Sequence, residues 1–115
     1  MEKTDRPDNM GRMNDPDGSA IVRGLCGDTM EMYLIVENAR IARSLFYTDG
    51  CSSSIACGSA AARLADGGSI DEALRLSPAD VLDMVGDLPL ESAHCAILAV
   101  MALHRALADY LLRYS

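Results

Sequence analysis

Three cysteines in this chain lie where a turn or a helix is predicted, and their thiols are the side chains best suited to chemistry. Cys26 lies in a glycine-flanked turn, Cys51 lies where an alternating apolar stretch gives way to a run of small residues, and Cys95 opens the last predicted helix. A thiol at the start of a helix faces unpaired backbone N–H groups and the positive end of the helix dipole, and both favour the thiolate. The thiolate is the form that binds metals and attacks sulfur.

Two further side chains could complete a site with these cysteines. Asp28 lies two residues after Cys26, and His94 directly precedes Cys95. Thiolates together with an imidazole or a carboxylate suit zinc or the iron of an iron–sulfur cluster. The separations of 25 residues between Cys26 and Cys51 and of 44 between Cys51 and Cys95 match no compact metal motif. Spacing alone therefore supports a shared site only weakly.

Cys57 and His104 are predicted to have structural roles. Cys57 follows Cys51 by six residues, which places it about 240° around a helix and roughly 9 Å along it. We therefore expect Cys57 to point into the core, and the alternative is an auxiliary thiol of the site. His104 falls in the middle of the last helix and is predicted to be a partly exposed histidine.

The composition indicates one modest domain with an aliphatic core. The chain has 115 residues, of which 50% are hydrophobic, and it contains no Trp. A net charge of −7 without a basic patch argues against nucleic acid as a partner.

No signal peptide is visible, and the longest apolar run, residues 95–103, is too short to cross a bilayer. We expect a cytoplasmic protein without a membrane partner, whose four cysteines indicate metal or sulfur chemistry, or packing, rather than disulfides.

The elements that must position these residues follow from periodicity and capping signals. Residues 1–18 are polar and predict a mobile N-terminal arm, and residues 19–115 predict a single domain. Two alternating stretches and a short apolar stretch at residues 19–23 predict an antiparallel sheet of three strands. Four helices are predicted after Cys51, the first capped by Ser52 or Ser53. The fold class is therefore α+β, a three-stranded antiparallel sheet with helices packed on one face. The large apolar residues of the last helix are expected to form its buried stripe: Ile97, Val100, Met101, Leu107 and Leu111.

Several motifs spread along the chain resemble the IscU/NifU family of iron–sulfur cluster assembly scaffolds. In chain order they are Cys26-Gly27-Asp28, Thr48-x-Gly50-Cys51-x-x-x-Ile55-Ala56 and His94-Cys95-x-x-Leu98-Ala99. The likeness continues through residues 7–11, 69–74 and 108–110 and so covers almost the whole chain. Matched motifs in a matched order make this resemblance specific.

The resemblance implies a scaffold that assembles a transient [2Fe–2S] cluster and transfers it, without turnover of its own substrate. The cluster ligands would be Cys26, Cys51 and Cys95, with Asp28 or His94 in the fourth position. The family's aspartate makes the cluster labile, and the cysteine of its His-Cys motif, here Cys95, is a common persulfide acceptor. The alternative is a zinc-bound protein that accepts persulfide and never carries iron.

The resemblance also implies partners. These are a cysteine desulfurase as sulfur donor and apo iron–sulfur proteins as recipients. A frataxin-like or ferredoxin partner and a homodimer are left open. The sequence departs from the family at Asp49, where phenylalanine is usual, and in Leu88-Pro89-Leu90-Glu91-Ser92, which lacks the lysine of the stretch that an Hsp70-type chaperone reads. The second departure argues against dependence on that chaperone.

Overall fold

The sheet and its helices follow one another along the chain in two blocks. The computed structural model describes residues 6–24, 27–86 and 88–114, apart from the side chain at position 91. The strands are β1 (Gly18–Arg23), β2 (Thr29–Glu37) and β3 (Arg40–Thr48). The helices are α1 (Ser52–Ala65), α2 (Ile70–Leu74), α3 (Pro78–Val85) and α4 (Ala93–Tyr114), with a 3-10 turn at Leu90–Ser92 before α4. The strands pair antiparallel in the order β1-β2-β3, which confirms the predicted α+β class.

One face of the sheet forms the core with α1 and α4. Met30, Met32 and Leu34 alternate along β2 and are fully buried, as a strand with one covered face requires. Phe46 pairs with Met32 across the sheet and is equally buried. A Cβ atom on Gly58 of α1 would lie 2.4 Å from the Phe46 ring. The small residues of α1 therefore let this helix lie directly against the sheet.

The hairpin between β2 and β3 places two chain segments side by side. Its two-residue turn has Asn38 and Ala39 at φ 54° and 62°, the left-handed pair that matches the twist of the flanking strands. At the other end of the hairpin, Met30 pairs with Thr48. The residues just before β2 and just after β3 are consequently neighbours.

The described part of the predicted arm makes specific contacts with the domain. The Asn9 side chain is buried: its amide donates to the carbonyl of Ser59 at 3.1 Å, and its oxygen accepts from the Ser59 hydroxyl at 2.9 Å. The backbone N–H of Gly11 donates to the carbonyl of Phe46 at 2.7 Å. Residues of the arm thus lie along β3 and α1, while the boundary at residue 18 and the mobility of the arm stay predictions.

The starts of α2 and α3 agree with the capping signals in the sequence, and the start of α1 does not. Ser69 and Ser77 each form a full capping box at the start of α2 and α3. The N-cap of α1 is Cys51 rather than Ser52 or Ser53, so the prediction of a serine cap is wrong. The helix begins one residue earlier than the serines suggest, because the extended backbone already ends at Cys51.

The buried face of α4 consists mainly of alanine and leucine rather than of the predicted stripe. Ile97, Met101 and Leu111 are 50%, 39% and 39% exposed, whereas Val100 and Leu107 are buried as predicted. Residues such as Ala99 and Leu103 are fully buried in their place. Among the described helices, α4 is long and apolar enough to cross a membrane by length and composition, but half of its most apolar stretch is buried inside the fold.

Candidate metal centre

The open end of the β2–β3 hairpin is held by threonine and aspartate side chains. The Thr48 hydroxyl donates to the carbonyl of Thr29 at 2.6 Å and accepts from the backbone N–H of Gly50 at 3.1 Å. The Asp49 carboxylate accepts from both the N–H and the hydroxyl of Thr29, at 2.9 and 3.1 Å, and these bonds lower its pKa. Asp49 therefore fixes the start of β2, and with it the position of the preceding residue, Asp28.

The carboxylate of Asp28 lies in a narrow slot between two glycines. Its Oδ2 accepts a hydrogen bond of 2.9 Å from the Ser54 hydroxyl. Its Oδ1 is buried and has no hydrogen-bond partner among the residues that the structure describes. A Cβ on Gly24 would lie 3.1 Å from Oδ1, and one on Gly50 would lie 2.8 Å from Oδ2. A buried, unpaired carboxylate oxygen is the kind of atom that a bound cation satisfies.

Cys51 is the N-cap residue of α1, and its thiol is exposed. Sulfur is a weak acceptor and makes no regular capping hydrogen bond here. The backbone N–H groups of Ser54 and Ser53 nevertheless point toward it and lower the pKa of the Cys51 thiol. The position at the helix start thus favours the thiolate, as the sequence predicts for this residue.

Cys95 lies in the first turn of α4 and is only 2% exposed. Its sulfur is 3.5 Å from the Ser54 hydroxyl oxygen and 3.7 Å from Nε2 of His94. Burial raises the pKa of the Cys95 thiol, and the nearby Cys51 and Asp28 add to this effect. Cys95 therefore differs from Cys51, because at Cys95 the loss of solvent is the largest effect on the pKa of the thiol.

Four of the five predicted site residues lie in one region at the open end of the hairpin. Asp28, Cys51 and Cys95 all have a side-chain atom within 4 Å of the Ser54 hydroxyl, and His94 adjoins Cys95. The fifth, Cys26, lies outside the described residues. Within the described ranges, no three His, Cys, Asp or Glu side chains are close enough to enclose one metal ion. The donors converge, with a hydroxyl as their common neighbour.

Ser54 is the residue of this region that sequence reasoning missed. A run of three serines after a cysteine reads as a choice of helix caps, and nothing in the run distinguishes its third member. The signal is only visible with the helix in place, because Ser54 follows the N-cap by three residues and so faces the same side as Cys51.

The other two residues considered have structural positions. Cys57 is fully buried, which confirms its predicted place in the core, and burial raises the pKa of its thiol to about 11. His104 is partly exposed, as predicted, and its Nε2 lies 3.3 Å from the carbonyl oxygen of Ala73. Neither residue is part of the candidate metal centre.

Comparisons with known proteins identify the family. The model of the NifU-like N terminal domain matches residues 1–115. The chain is 41% identical over 105 residues to the iron-sulfur cluster assembly scaffold protein IscU 1 of Archaeoglobus fulgidus, covering 90% of this chain and 69% of that protein. It is 38% identical over 115 residues to the iron-sulfur cluster assembly enzyme IscU of Drosophila melanogaster, covering 96% and 74%.

A solved structure confirms the fold. The crystal structure of the N-terminal part of a nitrogen-fixing NifU-like protein from Brucella abortus superposes with a TM-score of 0.71 over 92% of this chain and 87% of that one, at 21% identity. The predicted resemblance is therefore confirmed: the chain belongs to the NifU-like N-terminal domain family.

Proposed function

We propose that this protein is a scaffold on which an iron–sulfur cluster is assembled before it is transferred to other proteins. Membership of the family and the names of its relatives support this role. The single structural observation that carries it is the convergence of Asp28, Cys51 and Cys95 on one hydroxyl, with an unpaired carboxylate oxygen among them. The cluster is cargo, and the protein has no turnover of its own substrate.

The donor set fits a [2Fe–2S] cluster. Cys51 and Cys95 would supply two thiolates, and Cys26, two residues before Asp28 in the sequence, would supply the third. Thiolates are the usual ligands of iron–sulfur iron. Asp28 or His94 would fill the fourth position, and a carboxylate there is a harder, weaker ligand than a fourth thiolate would be. One weak position suits cargo that has to leave.

Cys95 is the proposed persulfide acceptor. Its sulfur would attack the terminal sulfur of a donor's persulfide, so that the donor's own cysteine leaves as a thiolate. Cys95 is 2% exposed, and we therefore infer that the start of α4 must open for this step. Cys51 is exposed and its thiol has a lowered pKa, which makes it the competing acceptor. Mass spectrometry of the persulfidated protein distinguishes the two.

Sulfur donors and cluster recipients follow from the scaffold role. We propose a cysteine desulfurase as the donor and apo iron–sulfur proteins as recipients, in a cytoplasm that keeps thiols reduced. A frataxin-like protein, a ferredoxin and a second copy of the chain are further partners to be tested by co-purification. The Leu88–Ser92 segment that departs from the chaperone-binding pattern includes Leu90, which is 89% exposed.

Anaerobic reconstitution with iron, cysteine and a cysteine desulfurase tests the scaffold role. Ultraviolet–visible and Mössbauer spectra should show a labile [2Fe–2S] cluster in the wild-type protein. Cys51→Ala should abolish the cluster, whereas the matched control Cys57→Ala removes a core thiol outside the centre and should retain it. A wild-type protein that assembles no cluster, or a Cys51→Ala variant that assembles it normally, would contradict the proposal.

The alternative function is a zinc-bound persulfide acceptor. The same donor set favours it, because thiolates with one carboxylate or imidazole also form closed zinc sites. Metal analysis of protein purified without oxygen separates the two functions. Zinc that stays bound throughout cluster reconstitution while the desulfurase is stimulated supports the alternative, and its replacement by iron and sulfide supports the scaffold.

A further inference from the structure

The buried hydroxyl of Ser54 makes its two shortest contacts outside its own helix turn, and its longer contact of 3.9 Å, to the Cys51 sulfur, lies within that turn. The residue is fully buried in the first turn of α1, where serine side chains commonly bond the backbone of their own helix. Its hydroxyl instead reaches Asp28, which precedes β2, and Cys95, which opens α4. Ser54 thus joins the two segments that flank the start of α1.

The single proton of the hydroxyl sets the direction of these bonds. A carboxylate only accepts, so the Ser54 hydroxyl donates to Oδ2 of Asp28 at 2.9 Å. The hydroxyl oxygen is then free to accept from the Cys95 thiol, 3.5 Å away. Rotation of the Asp28 or the Cys95 side chain breaks its hydrogen bond to Ser54, and both side chains are therefore held in one orientation.

This anchoring leaves one carboxylate oxygen available. Because Oδ2 of Asp28 is bonded to Ser54, the unpaired oxygen is Oδ1, which has no partner within the described part of the chain. The backbones of Gly24 and Gly50 lie close to the carboxylate on either side and leave it little room to move. Partners of this kind orient metal ligands, and their loss typically weakens metal binding about 10- to 100-fold.

We propose that Ser54 is the positioning residue of the metal centre, whose hydroxyl holds Asp28 and Cys95 ready for a metal before one arrives. The inference rests on the proposed function, since it assumes that these two side chains are ligands. Ser54 itself contributes no bond to the metal. Its effect is transmitted through the two side chains that it touches.

Anaerobic titration of the metal-free protein with cobalt(II) tests this role. Thiolate-to-cobalt absorption in the near ultraviolet reports binding through the cysteines, independently of cluster assembly. Ser54→Ala should bind cobalt about 10- to 100-fold more weakly than the wild type. Ser52→Ala is the matched control, because Ser52 is an exposed serine in the same helix turn, and it should bind as the wild type does.

A double-mutant comparison distinguishes positioning from a general packing effect. If Ser54 acts through its partner, Ser54→Ala should cost at least about threefold less in an Asp28→Ala background than in the wild type, because coupled residues are not additive. A loss of equal size in both backgrounds, or wild-type affinity in Ser54→Ala, overturns the positioning role and leaves the scaffold function standing. A wild-type protein that shows no thiolate-to-cobalt absorption overturns the scaffold function as well.

Discussion

Replacement of Gly50 by alanine would place a methyl group against the candidate metal centre. The added Cβ would lie 2.6 Å from the Ser54 hydroxyl oxygen and 2.8 Å from Oδ2 of Asp28, where ordinary contact begins at 3.4 Å. The two oxygens would have to move by about 0.8 and 0.6 Å to restore normal contact. The backbone of Gly50 is not in the left-handed region, so the effect is purely steric.

The displacement exceeds what a metal centre tolerates. Ligand constellations work within about 0.5 Å of their productive geometry, so we expect Gly50→Ala to bind cobalt(II) at least about tenfold more weakly. Overpacking costs about 1–3 kcal/mol in a closed core. Because Asp49 and Cys51, the chain neighbours of Gly50, are exposed and can shift, we expect the lower end of that range, and a melting temperature lower by about 4–8 °C.

Anaerobic cobalt titration and thermal melting of the same preparation measure both effects. Gly11→Ala is the matched control, because among the described residues no atom beyond its two chain neighbours lies within 4 Å of the added Cβ. It should leave cobalt affinity and melting temperature close to those of the wild type. Wild-type cobalt affinity in Gly50→Ala would refute the reasoning, since it would mean that the Asp28 carboxylate is not held in the slot that the structure shows.

Three further predictions concern packing, thiol reactivity and pH. Gly58→Ala should destabilise the fold by about 1–2 kcal/mol in denaturant unfolding, because the clash with a buried phenylalanine ring exceeds the gain in helix propensity. At pH 8, Cys51 should react with iodoacetamide at least about tenfold faster than Cys57, because a pKa of about 11 leaves the Cys57 thiol almost wholly protonated. The two rates are measured by fragment-ion mass spectrometry, since both cysteines lie on one tryptic peptide. Equal rates would contradict the burial of Cys57. Glu31 has a lowered pKa because Arg12 hydrogen-bonds it, so its contribution to stability is present above its ordinary pKa of 4.5 and is lost as the pH falls below that value. Unfolding curves between pH 6 and 3 should show this loss in the wild type and a smaller one in Arg12→Ala; an unchanged pH dependence in the variant would assign the loss to another carboxylate.

Local signals in the sequence were sufficient for most of the secondary structure. The alternation of Met30, Met32 and Leu34 predicted a strand with one buried face, and the structure buries all three. The serine-led boxes at Ser69 and Ser77 predicted two helix starts within a residue. Such signals are reliable because the groups that interact are at most four residues apart.

The orientation of α4 could not be predicted because it depends on its neighbours. The pattern of large apolar residues favoured a face that includes Ile97 and Met101, but both are substantially exposed. The face that is buried carries alanines such as Ala99 and Ala102, which allow close approach to the sheet and α1. Side-chain size predicts burial only when the distance between elements is known, and a single sequence does not supply that distance.

The sequence supplied candidate donors for the site but not the residues that position them. Cysteine, aspartate and histidine were recognisable from their chemistry and from motifs in a matched order. The connecting hydroxyl of Ser54 and the clamp of Asp49 on Thr29 join residues that are 20 or more positions apart, so no local pattern reports them. Contacts of this range appear only once the hairpin and both helix starts are placed.

The candidate donors belong to three separate segments, and metal binding by all of them would therefore be thermodynamically linked to folding. Asp28 precedes β2, Cys51 starts α1, and Cys95 starts α4. A site formed by all three therefore does not exist in the unfolded chain, and a cation that needs all three binds only the folded protein. A ligand at 100 times its dissociation constant adds about 2.7 kcal/mol to the free energy of unfolding under these conditions. Metal binding at these donors would therefore raise the free energy of unfolding of the whole domain, and release of the metal would remove that added stability.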